Sequence, residues 1–275
     1  RGPIAEISDY RTFDRPEILR VLFYPRPDWS LTMNHREATS LMVPVDDGVY
    51  VQVQAYLDSP AAANIIFFHG NGEIASDYQD IAPFYTDRGI NFLIADYRGY
   101  GVSSGIPTVS AMMTDCLVIF DHVKGWLREK GFTGLMIVMG RSLGSASALE
   151  IAHRRQHDMD GLIIESGFAY LGPLLRLMGV EMEYFHLDEV QGPRNISKIK
   201  NISKPTLIIH AQFDQIIAFN EGEALYEASP APIKRMLRVP GANHNNIFFA
   251  AMTEYMAAVL WLVDRAEESR DNETS

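Results

Sequence analysis

Cysteine is almost absent. Cys116 is the only one in 275 residues, which excludes an internal disulfide framework. Its neighbours Leu117-Val118-Ile119-Phe120 mark it as a core thiol. No apolar run is long enough for a membrane span, and no secretory leader is recognisable. Basic charge is scarce: 24 Lys and Arg against 35 Asp and Glu leave a net charge of −11. Such a chain carries no electrostatic footprint for nucleic acid and disfavours anionic lipid surfaces. Neither a G-x-G-x-x-G nor a Walker pattern occurs, which argues against nucleotide binding. No cluster of His, Cys and acids has metal-ligand spacing, so no metal or other cofactor is expected. There is no internal repeat. The chain begins Arg1-Gly2-Pro3 without a methionine, which leaves room for an N-terminal anchor ahead of it. Three N-x-[ST] sequons, at Asn195, Asn201 and Asn272, are read as chance, and the cytoplasm is the expected location.

What is present is a 47% hydrophobic chain, enough to bury one substantial core. Residues 1–40 read as an irregular segment rich in Arg, Asp and Pro, with an extended piece at Phe23-Tyr24-Pro25-Arg26-Pro27. Residues 41–57 read as a hairpin turning at Asp46-Asp47-Gly48. The alternation in Val49 to Gln54 predicts one wet face at a sheet edge. Short continuous apolar runs follow at 65–68, 92–95, 135–139, 162–164 and 207–209, with a weaker one at 236–239. Continuous runs fit strands covered on both faces. Helical segments at about 76–88, 110–130, 142–155, 219–228 and 246–265 separate most of them. This alternation predicts a mostly parallel sheet with helices on both faces and an antiparallel N-terminal edge. Between 167 and 204 no strand is expected, and a lid or cap insertion competes there with an ordinary crossover. The acidic tail 267–273 reads as a frayed end.

The most informative motif is Gly140-Arg141-Ser142-Leu143-Gly144, between the run at 135–139 and a helical stretch. Strand, G-x-S-x-G, helix is the context of a nucleophile elbow, a turn so sharp that flanking side chains would collide. At this composition about 0.1 chance matches are expected, so the motif is informative. A serine hydroxyl needs a base, and the base needs an orienting acid. The best base is His244, in the loop after the last strand. The best acid is Asp214, just past the run at 207–209. Glu165 is the rival acid, and Asp96 reads as structural. His35, His122, His153, His157 and His186 lie away from strand ends, and His210 reads as a packed histidine. The oxyanion of a tetrahedral intermediate needs preorganised donors. These are expected to be the backbone N–H groups of Leu143 and of Asn71, within His69-Gly70-Asn71-Gly72. There His69 pins the loop.

The HGNG loop, the stretch Asp96-Tyr97-Arg98-Gly99-Tyr100-Gly101, the elbow, Asp214 and Gly241-x-x-His244 together resemble the serine α/β-hydrolase superfamily. With the Phe-Tyr-Pro-Arg-Pro lead-in, they are similar to its Bem46-like branch, which includes α/β-hydrolase-domain 13 and 17 relatives. The resemblance covers about residues 20–265. It implies an α/β-hydrolase fold over residues 1–275 as a single domain. It also implies nucleophile Ser142, base His244, acid Asp214 and oxyanion amides at Asn71 and Leu143. The expected activity is hydrolysis of a carboxylic ester or thioester through an acyl-enzyme, and some members of that branch act on acylated proteins. Leu174, Leu175, Leu177, Met178 and Phe185 point to an acyl or other apolar substrate group. The alternatives are an amidase or peptidase on the same scaffold, or a non-catalytic binding protein. The expected partner is a small-molecule or acyl-group ester. Oligomeric state is not legible.

Overall fold

A computed structural model of the chain describes residues 10–29 and 38–274. His35 and the first nine residues lie outside them.

The hairpin is β1 (Ala38–Asp46) and β2 (Val49–Tyr56), antiparallel and turning through Asp47-Gly48. The six apolar runs are β3 (Ala63–Phe68), β4 (Ile90–Ala95), β5 (Met136–Arg141), β6 (Gly161–Glu165), β7 (Thr206–Ala211) and β8 (Lys234–Val239). All eight join one sheet in the order β1-β2-β4-β3-β5-β6-β7-β8. From β4 to β8 every pairing is parallel, while β2 meets β4 antiparallel. The alternation in β2 has the right period, but its polar residues are not wet. Gln52 and Gln54 are buried, because a turn of 3-10 helix at Ala75–Tyr78 covers that part of the sheet. Of the two hairpin strands, β1 is the one with a solvated face.

Successive side chains of a strand point to opposite faces, and the core divides accordingly. Ile66, Phe68, Val138, Ile164 and Ile208 pack on one face with α3 (Val109–Glu129), α4 (Gly144–Arg154) and α7 (Phe219–Ala228). Ile65, Phe67, Met139, Ile163 and Ile209 pack on the other with α2 (Ala82–Thr86) and the C-terminal helix α9 (Met252–Thr274).

Two expectations for the ends of the chain change. The N-terminal segment is not irregular throughout: α1 (Pro16–Leu22) starts on Pro16 and buries Ile18 and Leu22 in the first core. The extended piece after it crosses the loop at 69–72, with Arg26 Nε donating to Gly72 O (3.1 Å). The acidic tail is not frayed at its start. It continues α9, with Arg265 paired to Glu268 one turn on (2.8 Å). Asn195, whose sequon is read as chance, is 1% exposed and its amide donates to Phe168 O (2.8 Å).

No strand interrupts residues 167–204, which hold α5 (Leu171–Leu177) and α6 (Asn195–Ile199). Both ends are tied down. Glu189 accepts from the N–H groups of Leu171 and Gly172. Lys198 of α6 forms a buried ion pair with Glu150 of α4. Leu174 and Leu175 are core residues, and Met178 and Phe185 pack against that core, so of these five residues Leu177 alone is largely exposed. Among the described residues no helix is long and apolar enough to cross a membrane.

Candidate active site

The chain visits β3, then β4 on one side, then β5 on the other. β3 and β5 therefore flank a topological switch point, where the crevice beyond the strand ends accepts ligands. The HGNG loop leaves β3 and the elbow leaves β5.

At the elbow the strain sits on the serine. Ser142 has φ +51°, a left-handed conformation costing roughly 1–2 kcal/mol in a non-glycine residue. The flanking glycines are needed for space, not for unusual angles. A Cβ on Gly140 would lie 2.3 Å from Gly144 O, and one on Gly144 would lie 2.0 Å from Phe68 O. The second contact packs the start of α4 directly on the end of β3 and brings the HGNG loop beside Ser142. Ser142 N–H donates to Glu165 O (2.9 Å), and Ser145 Oγ caps Ser142 O (2.6 Å).

His244 Nε2 lies 3.1 Å from Ser142 Oγ, and its Nδ1 lies 2.7 Å from Asp214 Oδ2. A carboxylate can only accept, so Nδ1 carries the proton and Nε2 is free to accept from the serine hydroxyl. Asp214 Oδ1 accepts from Ile216 N–H and Ile217 N–H (2.9 and 2.8 Å). Burial raises the Asp214 pKa, but the hydrogen bond and charge of His244 and the two backbone donors outweigh it. The net direction is below the ordinary carboxylate value. All three side chains are buried.

The rival acid is occupied elsewhere. Glu165 takes Arg141 on Oε1 (3.0 Å) and Tyr255 O–H on Oε2 (2.5 Å). His210 sits behind Asp214, 3.6 Å from Oδ2, and donates Nε2–H to Ile217 O (2.8 Å). Burial lowers its pKa, which leaves a neutral ring that buttresses the Asp214 turn. His69 does pin its loop. Nε2 meets Asp96 Oδ1 at 2.9 Å and Nδ1 meets Gly70 O at 2.8 Å. Both partners are acceptors, so both nitrogens donate and the ring is an imidazolium. Burial lowers its pKa, but Asp96 and then Glu73 outweigh that and raise it.

Asn71 is fixed through its side chain, whose Oδ1 accepts from Tyr24 N–H (2.6 Å) and Tyr100 O–H (2.8 Å). Among the described residues neither the Asn71 nor the Leu143 N–H donates a hydrogen bond within the chain.

Sequence reasoning missed Arg141. It fills a variable position of the motif, where nothing in the pattern marks it, yet it is 7% exposed and donates in three directions. Two cavities adjoin the site. One of about 330 Å³ lies on the Asp214 side, between α5 and residues 214–221, lined by Phe168, Tyr170, Leu174, Leu177, Ile216 and Ile217 among others. Another of about 150 Å³ lies under Arg141 on the opposite face, beside Tyr78, Tyr85 and Phe248. Among the described residues no group of His, Cys and acids could hold a metal ion.

Comparison with known proteins agrees with this architecture. The family Hydrolase_4, described as serine aminopeptidase S33, matches residues 59–185. Human alpha/beta hydrolase domain-containing protein 17B is 30% identical over 236 residues, covering 81% of this chain and 75% of that protein. The lysophosphatidylserine lipase ABHD12 of Xenopus tropicalis is 31% identical over 193 residues, 64% of this chain but 49% of its own length. The structure of the Pyrococcus furiosus esterase Pf2001 superposes with a TM-score of 0.70 at 20% identity, over 88% of this chain and 98% of that one. The chain belongs to the α/β-hydrolase superfamily, and it is a hydrolase.

Proposed function

We propose that the protein is a serine hydrolase that cleaves a carboxylic ester or thioester through an acyl-enzyme. The observation that carries the reading is the unbroken hydrogen-bonded chain Asp214–His244–Ser142, at 2.7 and 3.1 Å, at the switch point of the sheet. Ser142 Oγ attacks the carbonyl carbon while His244 Nε2 takes its proton. Asp214 holds the tautomer and stabilises the imidazolium. The carbonyl oxygen, now anionic, is received by the N–H groups of Leu143 and Asn71. His244 then protonates the leaving alcohol or thiol, and a water activated by the same nitrogen releases the acid. These steps need no group beyond the chain's own side chains and amides.

The substrate's apolar part fits the cavity beside Asp214. At about 330 Å³ it is within the usual range for small-molecule sites, roughly 300–1,000 Å³. Residues 167–204 act as the cap of a single α/β-hydrolase domain, with Leu174 and Leu177 of α5 in the cavity wall. The ester- and lipid-cleaving names of the Pyrococcus and Xenopus relatives support an acyl substrate, and the Bem46-like branch is the assignment within the superfamily. A cytoplasmic setting is part of the same proposal. The peptidase description of the matching family favours one second reading, an amidase on the same scaffold.

A fluorophosphonate and intact-mass measurement tests the nucleophile. One adduct is expected on the wild type and none on Ser142→Ala; no adduct on folded wild type refutes the proposal. Matched p-nitrophenyl esters, thioesters and anilides of increasing chain length then separate the readings. A kcat/KM that rises with chain length supports the acyl cavity, and a flat series removes it.

A further inference from the structure

One charged side chain at the elbow has no part in the acyl transfer described above. Arg141 adjoins Ser142 in sequence, but its guanidinium lies on the opposite face of the sheet, against the cavity lined by Tyr78, Tyr85 and Tyr255. Its Nε donates to Glu73 Oε1 (2.9 Å), Nη1 to Glu165 Oε1 (3.0 Å) and Nη2 to His244 O (3.0 Å).

Each partner belongs to a different part of the site. Glu73 accepts Gly70 N–H (2.7 Å) and Tyr78 O–H (2.8 Å) on its other oxygen, which braces the loop carrying Asn71. Glu165 ends β6, and its backbone carbonyl accepts from Ser142 N–H. Glu165, buried, and Glu73, partly exposed, occupy Nη1 and Nε, and the remaining contact goes to main chain that belongs to the proposed base. His244 N–H is meanwhile held by Gln215 Oε1 (3.3 Å), so the backbone of this residue is gripped from both sides.

We infer that Arg141 is a positioning residue, which holds the His244 loop and the Asn71 loop in register with Ser142 while touching neither substrate nor reacting atoms. This rests on the reading of Ser142 and His244 given above. The physical basis is the fork of the guanidinium. Its donors point in fixed, coplanar directions, so one side chain sets the relative placement of three segments. An ammonium is a point donor and cannot satisfy all three partners at these separations.

The test uses Arg141→Lys and Arg141→Ala in the full chain. Circular dichroism checks the fold. Fluorophosphonate labelling and ester kinetics read reactivity, and the downfield proton resonance of His244 Nδ1–H reads the His244–Asp214 bond without turnover. For Arg141→Lys we expect a loss of roughly 10- to 100-fold in labelling rate and kcat/KM, the scale of a misplaced catalytic group. The loss falls in kcat with KM little changed, and the resonance broadens. In Arg141→Ala the adjoining cavity admits a small planar cation, so millimolar guanidinium restores labelling, whereas sodium chloride and urea do not. Wild-type kinetics with an unchanged resonance in Arg141→Lys overturn the inference. So does a folded Arg141→Ala that is indifferent to guanidinium. If the wild type itself does not label, the proposed hydrolase chemistry falls, and the resonance in Arg141→Lys alone decides whether Arg141 positions His244.

Discussion

Gly144→Ala and Gly125→Ala make the same chemical change and are expected to have opposite effects. At Gly144 the new Cβ would sit 2.0 Å from Phe68 O and 2.8 Å from His69 O, where ordinary contact starts at 3.4 Å. Both obstacles are backbone, so relief requires the start of α4 to part from the end of β3 by roughly 1 Å or more, a displacement that can cost 10²-fold in rate. Overpacking of this kind costs typically 1–3 kcal/mol, and an immovable carbonyl puts it at the upper end. For a chain of this length about 3 kcal/mol lowers Tm by roughly 5 °C. The same parting moves the Leu143 and Asn71 amides away from each other, so phosphonate labelling should slow by about 10²-fold. Gly125 lies within α3 and a Cβ there meets nothing within 4 Å. Helix propensity alone then stabilises Gly125→Ala by about 0.8–1 kcal/mol, or roughly 2 °C, with labelling unchanged. Scanning calorimetry and labelling rates on the three proteins decide the matter. A Gly144→Ala protein with wild-type Tm and labelling rate would refute the claim that this contact sets the elbow.

Ser142→Gly should melt above Ser142→Ala by about 1–2 °C, because glycine takes φ +51° without strain and the gain exceeds its extra unfolded-state entropy; equal melting temperatures would place the strain elsewhere. Asp214→Asn should lower kcat by roughly 10³-fold or more by stabilising the wrong His244 tautomer, while Glu165→Gln should cost about tenfold, since its carboxylate holds Arg141 and Tyr255 and does not meet the His244 ring; the reverse ranking would exchange the two acids. The raised pKa of buried His69 makes its contribution to stability full below the ordinary value of 6.5, with loss as pH rises through the folded value. Melting curves of wild type and His69→Gln should therefore converge as pH is raised from 6 to 9, and a constant gap would show that His69 is not held as the imidazolium.

The sheet was readable from sequence because a strand covered on both faces must be apolar throughout. Ile65-Ile66-Phe67-Phe68 and Leu162-Ile163-Ile164 could hardly be anything else once helical segments separated them. That Ser142, Asp214 and His244 would lie together was readable because each follows or ends a strand, and strand ends in such sheets converge. The burial of Gln52 and Gln54 was not readable. Their alternation is a local property, whereas the turn at 75–78 that covers them is distant in sequence. Helix α1 was hidden by its arginines and prolines, since what stabilises it is burial of Ile18 and Leu22 against a core assembled from the rest of the chain. The continuation of α9 beyond 266 was hidden in the same way, by an acidic composition that reads as solvated.

By itself the sequence determined the strand and helix alternation, the sharp turn at Gly140–Gly144 and the chemical types available at each strand end, because these depend on side-chain period and backbone sterics over a few residues. Tertiary structure decided which acid meets His244: Glu165 ends β6 and Asp214 follows β7, and only packing gives Glu165 to Arg141 and Tyr255 and Asp214 to His244. It also decided the role of Arg141, whose partners lie 68, 24 and 103 residues away in the chain. No local pattern encodes a fork whose three prongs reach parts of the molecule that meet only when the sheet has formed.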